Sequence, residues 1–183
     1  MNKIHLIDVK TDNITDYKNT SLQLIFPYCS GKCEGCQNYK LHESKVTKYR
    51  IKDIVHLYNK LSEHKAVVCA GLEPFDSFEE LKNLLIAFAK NDKKIDFVIY
   101  TGYELEEIED NKVEELLKIL KTYSTNDIKL IIKYGRYDKD SHNKWLSSIL
   151  GVELINNSSQ QYVYEYTYHN NMFIINFERK WRQ

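Results

Sequence analysis

The chain has 183 residues, 43% of them hydrophobic, with 26 basic and 26 acidic side chains. That length supports one domain able to bury about 70% of its unfolded surface without disulfide staples, and the even charge argues against partners held by bulk electrostatics, such as duplex DNA or an anionic membrane. Residues 1–8 are too short in apolar run and too soon acidic for a signal peptide, and nothing approaches the roughly 18 apolar residues of a membrane helix. A cytoplasmic protein is expected, where clustered cysteines read as metal ligands or catalytic groups.

Taken in chain order, residues 4–9 read as an edge strand and residues 21–26 as a buried strand that runs directly into a cysteine loop over 27–38. Ile51, Ile54, Val55, Tyr58 and Leu61 form a helical stripe. Residues 66–70 are a second buried strand. Ser77 and Glu80 have the spacing of a capping box, opening a helix with Phe78, Leu81, Leu84, Leu85 and Phe88 on one face. A third strand follows at 95–101, one helix or two short ones over 105–120, and a fourth strand at 128–133. Residues 142–150 suit a short helix and 152–155 a fifth strand. Tyr162, Tyr164, Tyr166 and Tyr168 alternate with other residues, and with a turn at 169–171 and a return over 172–177 they predict a C-terminal β-hairpin.

This β-α-β-α order implies an α/β fold with a mostly parallel sheet. Four or five units cannot close an eight-stranded barrel, so a partial, open βα barrel or a doubly wound sheet is expected, as one domain over 1–183 with a core of about 20–160 and a hairpin extension at 161–183. Either way the chemistry belongs at the C-terminal ends of the strands. Both the cysteine loop and residues 71–74 leave such ends.

Cys29, Cys33 and Cys36 have the spacing C-x3-C-x2-C. Three close thiolates can hold three irons of a [4Fe–4S] cubane, whereas ordinary ferredoxin clusters take four cysteines; with three, one iron keeps an open site. Gly31 and Gly35 let the loop turn tightly. The alternative is a structural zinc site with Cys69 or His42 as fourth ligand, although zinc sites usually pair two half-sites. Cys69, among apolar neighbours, reads as core. His56 and His64 read as solvated, and the acidic run at 104–110 as a solvated helix face. Lys133 and Thr101 stand at strand ends. Lys133 reads equally as a cofactor contact or as a lysine leaving the sheet into solvent. The tyrosine alternation reads first as a face packed on the domain and second as a docking face.

The cysteine triplet directly after a strand resembles the motif of the radical-SAM superfamily. Gly71, Leu72, Glu73 and Pro74 resemble that superfamily's G-G-E-P segment, with Leu72 in place of its second glycine. Cys36-Gln37-Asn38, the run 100–105, the run 134–137 and the run 157–160 further resemble, in order, blocks of the anaerobic ribonucleotide reductase activating enzymes, over roughly residues 20–163. Gln37, Tyr134 and Asn157 depart from that family's tyrosine, aspartate and glycine. The resemblance implies a cluster on Cys29, Cys33 and Cys36 whose open iron chelates S-adenosylmethionine, and a cofactor pocket that includes Gly35, Gln37, Asn38, Gly71, Leu72, Glu73, Thr101 and Lys133. It implies reductive cleavage of that cofactor to a 5′-deoxyadenosyl radical. It also implies two partners: a large glycyl-radical reductase subunit, whose glycine gives up the hydrogen, and a flavodoxin-type electron donor.

Overall fold

A computed structural model describes residues 2–31, 33–91, 93–108, 110–123, 128–137, 144–155 and 161–179. In chain order the strands are β1 (Lys3–Leu6), β2 (Asp8–Asn13), β3 (Ser21–Phe26), β4 (Thr47–Arg50), β5 (Ala66–Gly71), β6 (Ile95–Tyr100), β7 (Ile128–Tyr134), β8 (Lys144–Leu146), β9 (Glu153–Ile155), β10 (Tyr162–His169) and β11 (Met172–Arg179). The helices are α1 (Ile51–Lys60), α2 (Phe78–Ala89) and α3 (Asp110–Tyr123). A seven-stranded mixed sheet runs in the order β2-β3-β5-β6-β7-β10-β11, with β3, β5, β6 and β7 parallel and their C-terminal ends at one edge.

Parallel strands covered on both faces need near-continuous apolar runs. Every residue of β3 is buried, and so are residues 66–70 of β5. On one face, Leu22, Leu24, Phe26, Val67, Phe97, Ile99, Leu130 and Ile132 meet the buried stripes of all three helices, such as Ile54 and Tyr58, Leu84 and Phe88, and Leu116 and Leu120. The other face presents Val68, Val98, Ile131 and Val163 to Tyr17, Ile149 and Leu150 from connecting segments and to Leu154 of β9. A doubly wound sheet carries helices on both faces; the described helices share one face, so that alternative is set aside. No described helix is long and apolar enough to cross a membrane.

Several local expectations are corrected. The first strand is two: β1 pairs with β4 and buries Ile4 and Leu6, and the chain then enters β2, which pairs with β3 at the sheet edge. Within 142–150, residues 144–146 are a strand and 148–150 a turn, and the described part of the segment is not helical. β9 is no fifth member of the main sheet, because it pairs antiparallel with β8. The capping box does not form. Ser77 ends a 3-10 turn at Pro74–Ser77 with φ −112° and ψ 40°, away from the extended geometry of an N-cap. Its buried hydroxyl has no partner among the described residues. Glu80 instead takes the His5 N–H at 2.9 Å and the His5 Nδ1 at 2.6 Å. His64 is buried, not solvated, with its Nε2 against the Thr11 carbonyl, whereas His56 is exposed.

β10 and β11 form a hairpin through Asn170 (φ 49°) and Asn171 (φ 63°), the two left-handed residues of a type I′ turn. Tyr162 and Tyr166 are buried, with Tyr134 stacked on Tyr162 at 5.1 Å between centroids. The tyrosine face therefore packs on the domain. Asparagine tolerates this backbone region less well than glycine. Asn171→Gly is expected to raise stability by about 0.5 kcal/mol, read as a higher urea midpoint at unchanged slope.

Candidate functional site

The cysteine loop leaves β3 through Pro27. Cys29, Cys33 and Cys36 are each partly buried. Gly35, at φ 65°, makes the turn between the second and third cysteines, closed by the Cys36 N–H to the Cys33 carbonyl at 3.3 Å. Gly31 acts differently: a Cβ built on it would lie 3.3 Å from Cys29 Sγ and 4.0 Å from Cys33 Sγ, so the missing side chain opens a cradle between two thiols. Burial pushes the Cys29 thiol up, with Glu73 and Asp76 adding to the rise. A metal there displaces a proton, so loading is favoured by higher pH.

The loop after β5 lies against this one. The Leu72 N–H donates to the Phe26 carbonyl at 3.0 Å, the Glu73 N–H to the Tyr28 carbonyl at 2.7 Å, and the Asn38 amide to the Gly71 carbonyl at 2.7 Å. The Gly71 carbonyl thus already has a partner in the cysteine loop. Glu73 is only 4% exposed. Its Oε1 accepts from the Phe75 N–H at 3.1 Å and the Thr101 hydroxyl at 2.9 Å, and its Oε2 from the Gly102 N–H at 2.9 Å. Burial still pushes its carboxyl up to about 7 against those hydrogen bonds.

Lys133 does not leave the sheet into solvent. It is buried, with Nζ donating to the Gly135 carbonyl at 2.7 Å, and burial brings its ammonium down to about 7 while Glu73 and Glu104 pull it upward. Arg136 on the next loop holds Glu107 with two hydrogen bonds of 2.8 Å, so part of the acidic run is an ion-pair partner rather than a solvated face.

One cavity of about 490 Å3 gathers these groups. Cys29, Cys33, Cys36, Gln37, Asn38, Gly71, Leu72, Glu73, Thr101 and Lys133 all line it. Gly35 stays outside as an exposed turn residue. The run 157–160 lies outside the described residues. Among the described residues no three His, Cys, Asp or Glu side chains converge on one point as ligands of a single ion would. Cys69 is buried in the helix-side core, and His42 lines a different groove that meets the site only at Cys29. The zinc reading loses both of its named fourth ligands, while three thiols on one cavity wall, two of them beside the Gly31 cradle, suit the corners of a cubane.

The model of a known family, the 4Fe–4S single cluster domain, matches residues 20–150. The chain belongs to that family. No curated protein and no solved structure matches it. In this single-cluster domain the matched region begins one residue before β3 and includes the cysteine triplet, the Glu73 loop and the strand ends that carry Thr101 and Lys133.

The sequence reading missed one wall of the cavity. Lys10, Asp16, Gln23 and Tyr100 line it beside Ile25 and Ala70. The Asp16 carboxylate accepts from the Gln23 amide at 2.5 Å and the Asn13 amide at 2.6 Å, and the Asp16 carbonyl accepts from the Tyr100 hydroxyl at 2.6 Å. A signal existed: Gln23 is the single polar side chain between Leu22 and Phe26, and a buried polar group asks for a reason.

Proposed function

We propose that this single-cluster domain is a radical-SAM enzyme of the glycyl-radical activase type, built as one domain on an open βα barrel. The observation that carries the proposal is the shared cavity. A three-cysteine loop and a buried acid meet there with Thr101 and Lys133, all at the C-terminal edge of four parallel strands.

Cys29, Cys33 and Cys36 would hold the [4Fe–4S] cluster. The chemistry that the cluster and S-adenosylmethionine supply together when bound is one-electron cleavage of a carbon–sulfur bond, giving a 5′-deoxyadenosyl radical that takes hydrogen from a glycine. The chain's own residues bind and orient. Glu73, held by three hydrogen bonds and lifted to about 7 by burial, is poised for a cation. The ammonium of the methionine moiety is such a cation and returns the carboxyl toward its usual range. Lys133, whose buried ammonium donates to the Gly135 carbonyl, suits a carboxylate or ribose oxygen. Leu72 is nearly buried at the cavity wall and narrows it where the superfamily has glycine. Ile25, Ala70 and Leu72 give the cavity an apolar stretch of wall. The partners proposed with this activity are a large glycyl-radical reductase subunit and a flavodoxin-type electron donor.

The test is anaerobic. Protein reconstituted with iron and sulfide is given dithionite and S-adenosylmethionine, and 5′-deoxyadenosine is followed by mass spectrometry. Wild type is expected to form it, Cys33→Ala to form none, and Glu73→Gln to lose at least tenfold in rate. A cluster that assembles without any deoxyadenosine, even with a reductase subunit present, would reduce the chain to an iron–sulfur binding module.

A further inference from the structure

Three loops leave the parallel strands beside Cys29, and a closed ring of hydrogen bonds ties them together on the outer side of the cysteine loop. The Ser30 N–H donates to Asp76 Oδ2 at 2.5 Å, and the Tyr103 hydroxyl donates to Asp76 Oδ1 at 2.7 Å. Ser30 Oγ lies 2.7 Å from the Tyr103 oxygen. Since the one proton of Tyr103 goes to the carboxylate, Ser30 is the donor in that third contact. Ser30 follows Cys29, Asp76 lies three residues beyond Glu73, and Tyr103 lies two beyond Thr101. The ring thus joins the loops after β3, β5 and β6.

This ring joins the hydrogen bonds that hold Glu73 through backbone, the Tyr103 N–H donating to Thr101 Oγ1 at 3.0 Å and the Asp76 N–H to the Glu73 carbonyl at 3.1 Å, while its own side-chain contacts are different ones. Ser30 and Asp76 line an outer groove, and Cys29 is the cysteine common to that groove and to the cavity. The inner hydrogen bonds, from Phe75, Thr101 and Gly102, hold the Glu73 carboxylate at the cavity wall, which Thr101 and Gly102 also line. The outer ring has no such task. Its partners are a loop amide, a carboxylate and two hydroxyls, all satisfied by one another.

We propose that Asp76 is a positioning residue for the iron–sulfur cluster: acting through Ser30, it clamps the Cys29 end of the loop, with Tyr103 as its brace. The proposal rests on cluster binding alone and is independent of S-adenosylmethionine. Loops open locally before they release what they hold, and groups around metal ligands orient them and tune affinity by tenfold or more. Untying Asp76 therefore raises the rate at which the loop opens and the cluster escapes.

The experiment uses the full chain loaded anaerobically with iron and sulfide. The probe is EDTA, with cluster absorbance giving the rate of loss and electron paramagnetic resonance of the reduced cluster giving its surroundings. Asp76→Ala is expected to lose its cluster about tenfold faster than wild type, with an altered resonance spectrum. Tyr103→Phe, which deletes one hydroxyl, is expected to fall between the two. Asp76→Asn keeps all three contacts. Its oxygen accepts from the Ser30 N–H, its amide donates to the Tyr103 oxygen, and the Tyr103 hydroxyl turns to Ser30. It is expected to hold the cluster as wild type does. A wild-type rate for Asp76→Ala overturns the proposal. So does an Asp76→Asn as fast as Asp76→Ala, because then charge and not the tie is at work. If circular dichroism shows Asp76→Ala unfolded, Tyr103→Phe decides, and an unchanged rate there overturns it. Failure here leaves deoxyadenosine formation untouched, so the two proposals fail separately.

Discussion

Replacing Gly71 by alanine is expected to lower stability by about 3 kcal/mol and to leave the cysteine loop largely without iron. Gly71 sits at φ 103°, outside the space an L-residue adopts without strain. A Cβ there would lie 2.8 Å from Ile25 Cγ2, 2.9 Å from the Phe26 nitrogen and 3.0 Å from the Phe26 oxygen. Two of those three atoms are backbone of the neighbouring strand, so relief requires β3 and β5 to part where Phe26 pairs with Gly71. The Phe26 carbonyl also receives the Leu72 N–H, and the Gly71 carbonyl receives Asn38 from the cysteine loop. Strain, lost pairing and a displaced cysteine loop thus arrive together. Two other glycines separate the effects. Gly151, at φ 72°, would place a Cβ 2.4 Å from Lys18 Cβ, far from the cysteines in the sequence and absent from the cavity wall. Gly151→Ala is expected to lose comparable stability while still loading iron. A Cβ on Gly102 would meet Glu73 Oε2 at 3.7 Å and Arg136 Cγ at 3.8 Å, ordinary contacts, and Gly102→Ala is expected to change neither by much. Urea melts and iron per chain read all three.

The elements that were legible in the sequence are those fixed by burial on both faces. Residues 21–26, 66–70, 95–100 and 128–133 carry runs that only a covered strand explains, and they lie in β3, β5, β6 and β7. The helix stripes were legible because Ile51, Ile54 and Tyr58, or Leu81, Leu84, Leu85 and Phe88, recur at helical spacing. The segment 142–150 misled for the same reason. Trp145 and Ile149, or Leu146 and Leu150, are four apart, yet Leu150 is buried while Leu146 is 69% exposed. No common face exists; antiparallel pairing of β8 with β9 and the left-handed Gly151 decide the backbone instead. Ser77 and Glu80 misled because capping is local and His5 is not: a residue 75 positions away took the carboxylate. Of the site, the cysteines, Glu73, Thr101 and Lys133 were legible because each sits at the end of a readable strand. Asp16 and Asp76 were not, since nothing in their neighbourhoods marks a carboxylate whose partners are Gln23 and Ser30.

The largest pH effect is expected from the two charged groups buried in that cavity. Glu73 has its carboxyl lifted from an ordinary 4.5 to about 7. The folded protein then holds that proton more tightly than the unfolded chain, so its contribution is full below pH 4.5 and is lost as the pH rises through 7. Lys133 has its ammonium lowered from 10.5 to about 7. There the unfolded chain holds the proton more tightly, so the contribution is full above pH 10.5 and is lost as the pH falls toward 7. The two arms meet. Cluster-free protein is expected to be least stable near pH 7 and to gain on either side, more on the alkaline side, where the Lys133 shift is the larger. Single substitutions separate the arms. Glu73→Gln removes the fall between pH 5 and 7 and keeps the rise above it; Lys133→Met removes the rise between pH 7 and 10 and keeps the fall below it. Thermal melts across pH 5–10 read the shape. A flat profile in wild type would mean that the pair shares charge so fully that neither group is held neutral, and the cavity would then offer an arriving ammonium no unpaired acid to meet.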